Sequence, residues 1–205
     1  MRKLLTLLPA VCLALISLTA KADPTLTFNN VPGGGDIGPY SMTLNPGNVN
    51  LLLFCMNDTN FIQGGESWTV NVVNGANLAT FFSGDPSLAT DYQEEAYIYS
   101  HYNGSNSNDV QAALWDIFDP KSVDSGAQTL VNDAENLADP FYSNGSLGNY
   151  TFYLYDGGTI TNQYQSYPPQ NFLGTSPTPE PSSLFLLGSG LIGLAGVARR
   201  KFARG

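Results

Sequence analysis

Two apolar runs with basic residues beside them bracket this chain, and they confine folding to the stretch between. At the front, Arg2 and Lys3 precede an apolar run from Leu4 to Leu18. Ala20-Lys21-Ala22 follows with the small-x-small spacing that a signal peptidase cuts. Residues 1–22 are therefore expected to be a signal peptide, and the mature chain to start at Asp23. At the back, Ser182 to Ala198 is uncharged and about 17 residues long, near the lower limit for a membrane-spanning helix. Arg199, Arg200, Lys201 and Arg204 come after it. A basic cluster in that position predicts a C-terminus held in the cytoplasm while residues 182–198 cross the inner membrane. What remains, 23–175, has the size of one extracytoplasmic domain with a real core.

Charge separates the middle from the ends. All 17 acidic residues lie between Asp23 and Glu180, and Lys121 is the single lysine or arginine in that interval. A surface of this kind cannot neutralise phosphates, which argues against nucleic acid as a partner. Cysteine use is equally restrictive. Cys12 falls in the expected signal, so the domain keeps Cys55 alone and no intramolecular disulfide is available to it.

The end of the chain has three parts in fixed order. Ser176-Pro177-Thr178-Pro179-Glu180-Pro181 is a stiff, extended linker. The apolar run comes next, and the basic end closes it. The tripeptide Pro179-Glu180-Pro181, a spanning helix and a short arginine-rich end together resemble the PEP-CTERM sorting signal, over about the last 30 residues (176–205). The resemblance implies a Gram-negative host with an exopolysaccharide locus and a biofilm or cell-surface destination. It also implies processing by an exosortase, with signal peptidase acting at the other end.

The middle reads as mainly β. Asn, Gly, Ser, Thr and Tyr are abundant, as suits strands joined by turns. Val49 to Cys55 is nearly continuously apolar, consistent with a strand buried on both faces. Trp68, Val70 and Val72 alternate on one side of a half-buried strand. Tyr150 to Tyr155 alternates too and is bounded by the turn signal Asp156-Gly157-Gly158. Helical spacing appears over Asp91 to Tyr102, from Asn108 to the Asp119-Pro120 stop, and over Ala127 to Ala138. The expected class is α+β: a mainly β ectodomain with a helical insertion, plus one C-terminal transmembrane helix.

Two short stretches carry chemistry when read together. Phe54-Cys55 ends the apolar strand, and Val110-Gln111-Ala112-Ala113-Leu114-Trp115 opens an amphipathic helix. The pair, in this order, resembles the motifs of bacterial surface thioester domains over about 51–118, and Glu95-Ala96-Tyr97-Ile98-Tyr99 is similar to that family's preceding helix. The resemblance implies a thioester between Cys55 and Gln111, shielded by Trp115, that captures an amine on a surface or matrix target. Its physical basis is proximity: an amide is a poor electrophile and yields to a thiol only when held in near-attack geometry. Trp115 lies one turn after Gln111, close enough to cover such a bond. With Lys121 the single lysine of the ectodomain, few internal amines would compete for it.

The same residues also have plain structural readings. Cys55 can be a small buried hydrophobe, Gln111 can close a capping box with Asn108, and Trp115 can be a core aromatic. The alternative function is then a non-reactive structural or exopolysaccharide-matrix protein with a packed free cysteine. Other candidates are weaker. His101, the single histidine, has no protease signature around it. Glu94 and Glu95 read as a solvated helix face. The Asp-Asn-Gly stretches lack calcium-loop spacing. No metal, cofactor or turnover chemistry is expected.

Overall fold

The structure, a computed structural model, describes residues 23–176 except 33, 36, 122 and 164–167. The expected signal peptide lies outside the described residues, as do Pro179-Glu180-Pro181, the apolar run 182–198 and the basic cluster through Arg204. Among the described residues no helix is long and apolar enough to cross a membrane.

Strands β1 (Thr25–Asn30), β2 (Tyr40–Asn45) and β3 (Val49–Cys55) form a meander, and β4 (Ser67–Asn74) returns to pair with β1. A helical insertion follows: α1 (Leu78–Phe81), α2 (Pro86–Ser100), α3 (Ser107–Phe118) and α4 (Ser125–Ala134). The chain then re-enters the sheet as β5 (Tyr150–Thr161) and β6 (Phe172–Thr175). All pairings are antiparallel, and the order β1-β2-β3-β6-β5-β4 closes a six-stranded barrel. Closure leaves no free sheet edge. The mainly β, α+β architecture with a helical insertion is the one the sequence predicts.

Alternation along the strands builds two cores. Leu26, Met42, Leu53, Cys55, Trp68, Val70, Tyr153 and Phe172 pack inside the barrel. Phe54, Val73, Phe152, Leu154 and Leu173 point outward instead, where they meet Ala96, Ile98, Val110, Leu114 and Ala127 from the helices. Phe54 and Cys55 thus face different cores although they are adjacent.

Several local expectations need correction. β3 is not buried on both faces throughout: Leu52 is 57% exposed and Val49 36%. Only the end of the strand, at Phe54 and Cys55, runs beneath the helices. Val72 is 41% exposed although it shares a side with buried Trp68 and Val70. Pairing of β4 with β1 ends at Thr69, so nothing covers Val72 from that neighbour. Asp156-Gly157-Gly158 does not end β5. It is a bulge between Tyr155, opposite Val70, and Ile160, opposite Trp68. Gly157 takes φ +83°, and the Asp156 carboxylate accepts from the Gly158 N–H at 2.8 Å and the Thr69 hydroxyl at 2.6 Å.

The helices start earlier than expected. Pro86 occupies the first turn of α2, and the Asp85 carboxylate caps it by accepting from the Leu88 N–H at 3.2 Å. Asp124 caps α4 in the same way, through the Gly126 and Ala127 N–H groups, and the helix ends at Ala134.

Candidate functional site

Cys55 is the last residue of β3, paired with Phe172 of β6, and its side chain closes one end of the barrel core with no exposure. Gln111, in the first half of α3, is also fully buried. The structure brings the two together. The Gln111 Nε2 donates to the backbone carbonyl of Cys55 at 2.5 Å. Its Oε1 accepts from the backbone N–H of Gly38 at 3.3 Å. Both polar ends of the amide are therefore held by backbone, and the group cannot rotate without breaking a buried bond. The capping-box reading fails here: α3 begins at Ser107, and the Gln111 amide is engaged across the fold.

Gly38 is part of this grip for a steric reason. A Cβ at that position would lie 2.9 Å from Gln111 Oε1, 3.0 Å from Phe54 and 3.2 Å from Tyr40. Only a residue without a side chain lets the backbone N–H come so close to a buried amide.

The Cys55 thiol is free and donates to the Asn57 carbonyl at 2.8 Å. Burial pushes its pKa up to about 12, while the Trp115 side chain and the Asn57 backbone act less strongly in the other direction. It is a neutral thiol at physiological pH. Trp115 packs half-buried against the barrel core. Its indole N–H is buried without a fully formed hydrogen bond, yet it lies near enough to the sulfur to favour the thiolate. Trp115 thus sits beside the thiol, with its indole N–H in no formed hydrogen bond.

A buried acidic residue in α2 was missed by sequence reasoning. Glu95 is not on a solvated face. It has no exposure, and neither carboxylate oxygen has a hydrogen-bond partner among the described residues. Burial, reinforced by the charges of Asp91 and Glu94, raises its pKa well above the ordinary carboxyl value. The signal was present in the spacing: Glu95 follows Tyr92 by three and precedes Ile98 by three, and both are buried.

His101 is placed elsewhere. Its Nδ1 lies 3.0 Å from the Tyr97 carbonyl oxygen and 3.2 Å from the Ser100 hydroxyl, and its ring packs on Tyr97. No hydrogen bond links it to Cys55, so the two do not form a protease-type Cys–His pair. Lys121 is ion-paired to Asp58 and, at 3.0 Å, to Asp119. These two carboxylates raise its pKa and hold it as an ammonium. Among the described residues no group of His, Cys, Asp and Glu is placed to hold a metal.

The remaining predicted site residues belong to the tail, which matches a known protein family. Residues 177–201 match the family described as PEP-CTERM protein-sorting motif. That segment contains Pro179, Glu180 and Pro181 and reaches through Arg199, Arg200 and Lys201, with Arg204 just past it. The motif marks an exported surface protein that is anchored in the membrane before processing and sorted by an exosortase. No curated protein and no solved structure matches the chain. The match ends at the tail, so the chemistry of Cys55 and Gln111 rests on their own geometry.

Proposed function

We propose that the sorted ectodomain is a covalent-binding surface module, in which Cys55 and Gln111 condense to an internal thioester that an external primary amine opens. The supporting observation is the two-ended grip on a fully buried Gln111 amide, by the Cys55 carbonyl at 2.5 Å and the Gly38 N–H at 3.3 Å.

The chemistry balances within the site. The Cys55 sulfur adds to the amide carbon of Gln111, and negative charge develops on Oε1, which the Gly38 N–H already faces. The thiol proton passes to the amide nitrogen, which leaves as ammonia. The S–C bond of the thioester replaces the C–N bond of the amide. Opening reverses the roles: an incoming amine forms a new amide to the Gln111 carbon, and Cys55 departs as a thiolate toward the Trp115 indole N–H before regaining its proton. Exclusion of water favours this sequence, since neither Cys55 nor Gln111 has any exposed surface. Self-capture is suppressed because Lys121, the single lysine between 23 and 200, is kept protonated by Asp58 and Asp119.

A second reading is favoured by one observation, the hydrogen bond from the Cys55 thiol to Asn57. A thiol satisfied in this way suits a non-reactive matrix protein with a packed cysteine. Intact mass of the exported protein, measured beside a Cys55→Ala variant with the same termini, separates the two. The thioester predicts a deficit of one ammonia that vanishes in the variant, and a gain of one methylamine on treatment with that amine. A mass equal to the sequence, with Cys55 alkylated in full on unfolding, selects the matrix reading.

A further inference from the structure

Every strand of the barrel has a neighbour on each side, but the seam between β3 and β6 is short. β6 stays paired with β5 from Phe172 to Thr175, yet it meets β3 only at Cys55 and Phe54. A groove with a cavity of about 540 Å³ opens where the two strands part, between Val49–Leu53 and the end of β6. The exposed Val49 and Leu52 lie on its β3 side, and half-buried Tyr99 and Tyr102 stand over it from the end of α2 and the turn after it. Both rings are held in place. They pack edge-on against Phe54 with centroids 5.6 and 4.8 Å away, and the Tyr99 hydroxyl hydrogen-bonds the Thr175 backbone. Among the described residues every one that lines the groove is uncharged, on a domain that is otherwise strongly acidic.

The groove also holds the exit of the chain. Ser176 lines it and is the last described residue, and Pro177-Thr178-Pro179-Glu180-Pro181 follows before the apolar run. Backbone alternation decides what can lie there. The Met56 N–H donates to the Asn171 carbonyl at 3.0 Å, and the Ser176 N–H to the Asn149 carbonyl at 2.7 Å. In this pattern Leu52 and Asn50 turn their N–H and C=O groups toward the groove, and the odd-numbered residues of β6 turn theirs toward β3. In the register of the Phe54–Leu173 pair, Thr175 comes opposite Leu52 and position 177 opposite Asn50. Positions 177 and 179 are prolines, which bring carbonyls to accept from β3 and no N–H to leave unpaired. The same alternation assigns their rings to the face of Leu52, where the tyrosines stand.

We propose that this groove is the docking site of the chain's own proline-rich linker, residues 177–181, laid extended along β3 with the Pro177 and Pro179 rings against Leu52, Tyr99 and Tyr102. Proline-rich segments suit grooves lined by aromatic rings, because little conformational freedom remains for them to lose. Tethering at Ser176 sets their local concentration on the order of millimolar, which a strand from a second copy would have to outcompete. The sorting tripeptide then lies against the ectodomain, and the domain stands on the membrane through a packed stalk instead of a loose tether. None of this depends on the thioester.

The test uses the full chain with its tail, in detergent micelles, and reads amide hydrogen exchange and nuclear Overhauser contacts by NMR. The Asn50 and Leu52 amides should exchange as slowly as those of Leu51 and Leu53, which β2 holds. The ring protons of Pro177 and Pro179 should show contacts to the Tyr102 ring. Pro177→Gly combined with Pro179→Gly changes nothing inside the barrel. It should speed exchange at Asn50 and Leu52 at least tenfold and leave Leu51 and Leu53 as they were. Leu52→Asp should abolish the proline–tyrosine contacts from the other side, so loss of folding in that variant leaves the linker variant decisive. Fast exchange at Asn50 and Leu52 in the unaltered chain, or protection that survives the linker substitutions, overturns the inference. Protection that grows with protein concentration assigns the groove to a second copy and overturns it as well.

Discussion

Inside the barrel, Leu26, Met42, Trp68, Val70 and Phe172 pack around a single thiol at one end, Cys55. Between barrel and helices, Phe54, Ile98 and Leu114 are just as buried, but helices α2 and α3 that cover them also bury Glu95 and Gln111. The first region is what a small β-barrel needs to be stable. The second carries an amide tied to another element and a carboxyl without partners, the latter reducing stability. The two regions meet at the Phe54-Cys55 step, where successive side chains enter different cores. The buried polar groups are therefore concentrated at the seam, where the barrel supplies Cys55 and the helices supply Glu95 and Gln111.

Four substitutions sharpen or break this comparison. Phe54→Ala should be the most damaging, because it empties a fully buried ring site that packs edge-on against Tyr99 and Tyr102. A loss of about 3–5 kcal/mol by urea unfolding is expected. A loss below about 1 kcal/mol would mean that the helical layer is not anchored on β3.

Gly38→Ala introduces a methyl group at 2.9 Å from Gln111 Oε1 and 3.0 Å from Phe54, neither of which has room to move. It should cost about 1–3 kcal/mol, as overpacking does. It should also abolish the ammonia deficit while circular dichroism retains the native spectrum. Retention of the full deficit would show that the Gly38 contact is unnecessary for the reaction.

Glu95→Gln tests the orphan carboxyl. Its folded pKa is raised, so the neutral form stabilises the fold fully below the ordinary value of 4.5. As pH rises above that value the unfolded chain ionises first, and stability falls by up to about 1.4 kcal/mol per pH unit until the folded pKa is reached. The variant should match the wild type near pH 4 and exceed it in melting temperature at pH 7–8. An identical pH profile for both proteins would mean that Glu95 is not held neutral in the fold.

The smallest effect is expected for Lys121→Ala. Its pairs with Asp58 and Asp119 are on the surface, where solvent screens them, so only a slight change in melting temperature is expected. A large drop would show that the loop at Asp58 depends on that ammonium.

Much of this molecule was legible before folding was considered. Val49–Cys55, the β4 alternation at Trp68 and Val70, and the apolar face of α3 with its Asp119-Pro120 stop all follow from side-chain periodicity, which is a local property. The missed strands β1, β2 and β6 are Thr-, Asn- and Gly-containing segments whose burial depends on neighbours distant in the chain. The start of α2 was also missed, although Asp85-Pro86 is a readable cap, because the apolar spacing before Asp91 is weak.

The sequence by itself determined the address and the ingredients. The tail motif at 177–201 is contiguous and needs no fold to be recognised. A lone Cys55 without a disulfide partner, a single lysine in the ectodomain and the alternation of the strands are equally one-dimensional facts. Tertiary structure alone decided what those ingredients touch. Closure of the barrel turned Cys55 inward, packing of α3 carried Gln111 across 56 positions to the Cys55 carbonyl, and the Gly38 loop supplied the N–H opposite. It also decided that Glu95 is buried and that a groove opens between β3 and the end of β6. Contacts between residues this far apart depend on how whole elements pack, and no local pattern in the chain records that.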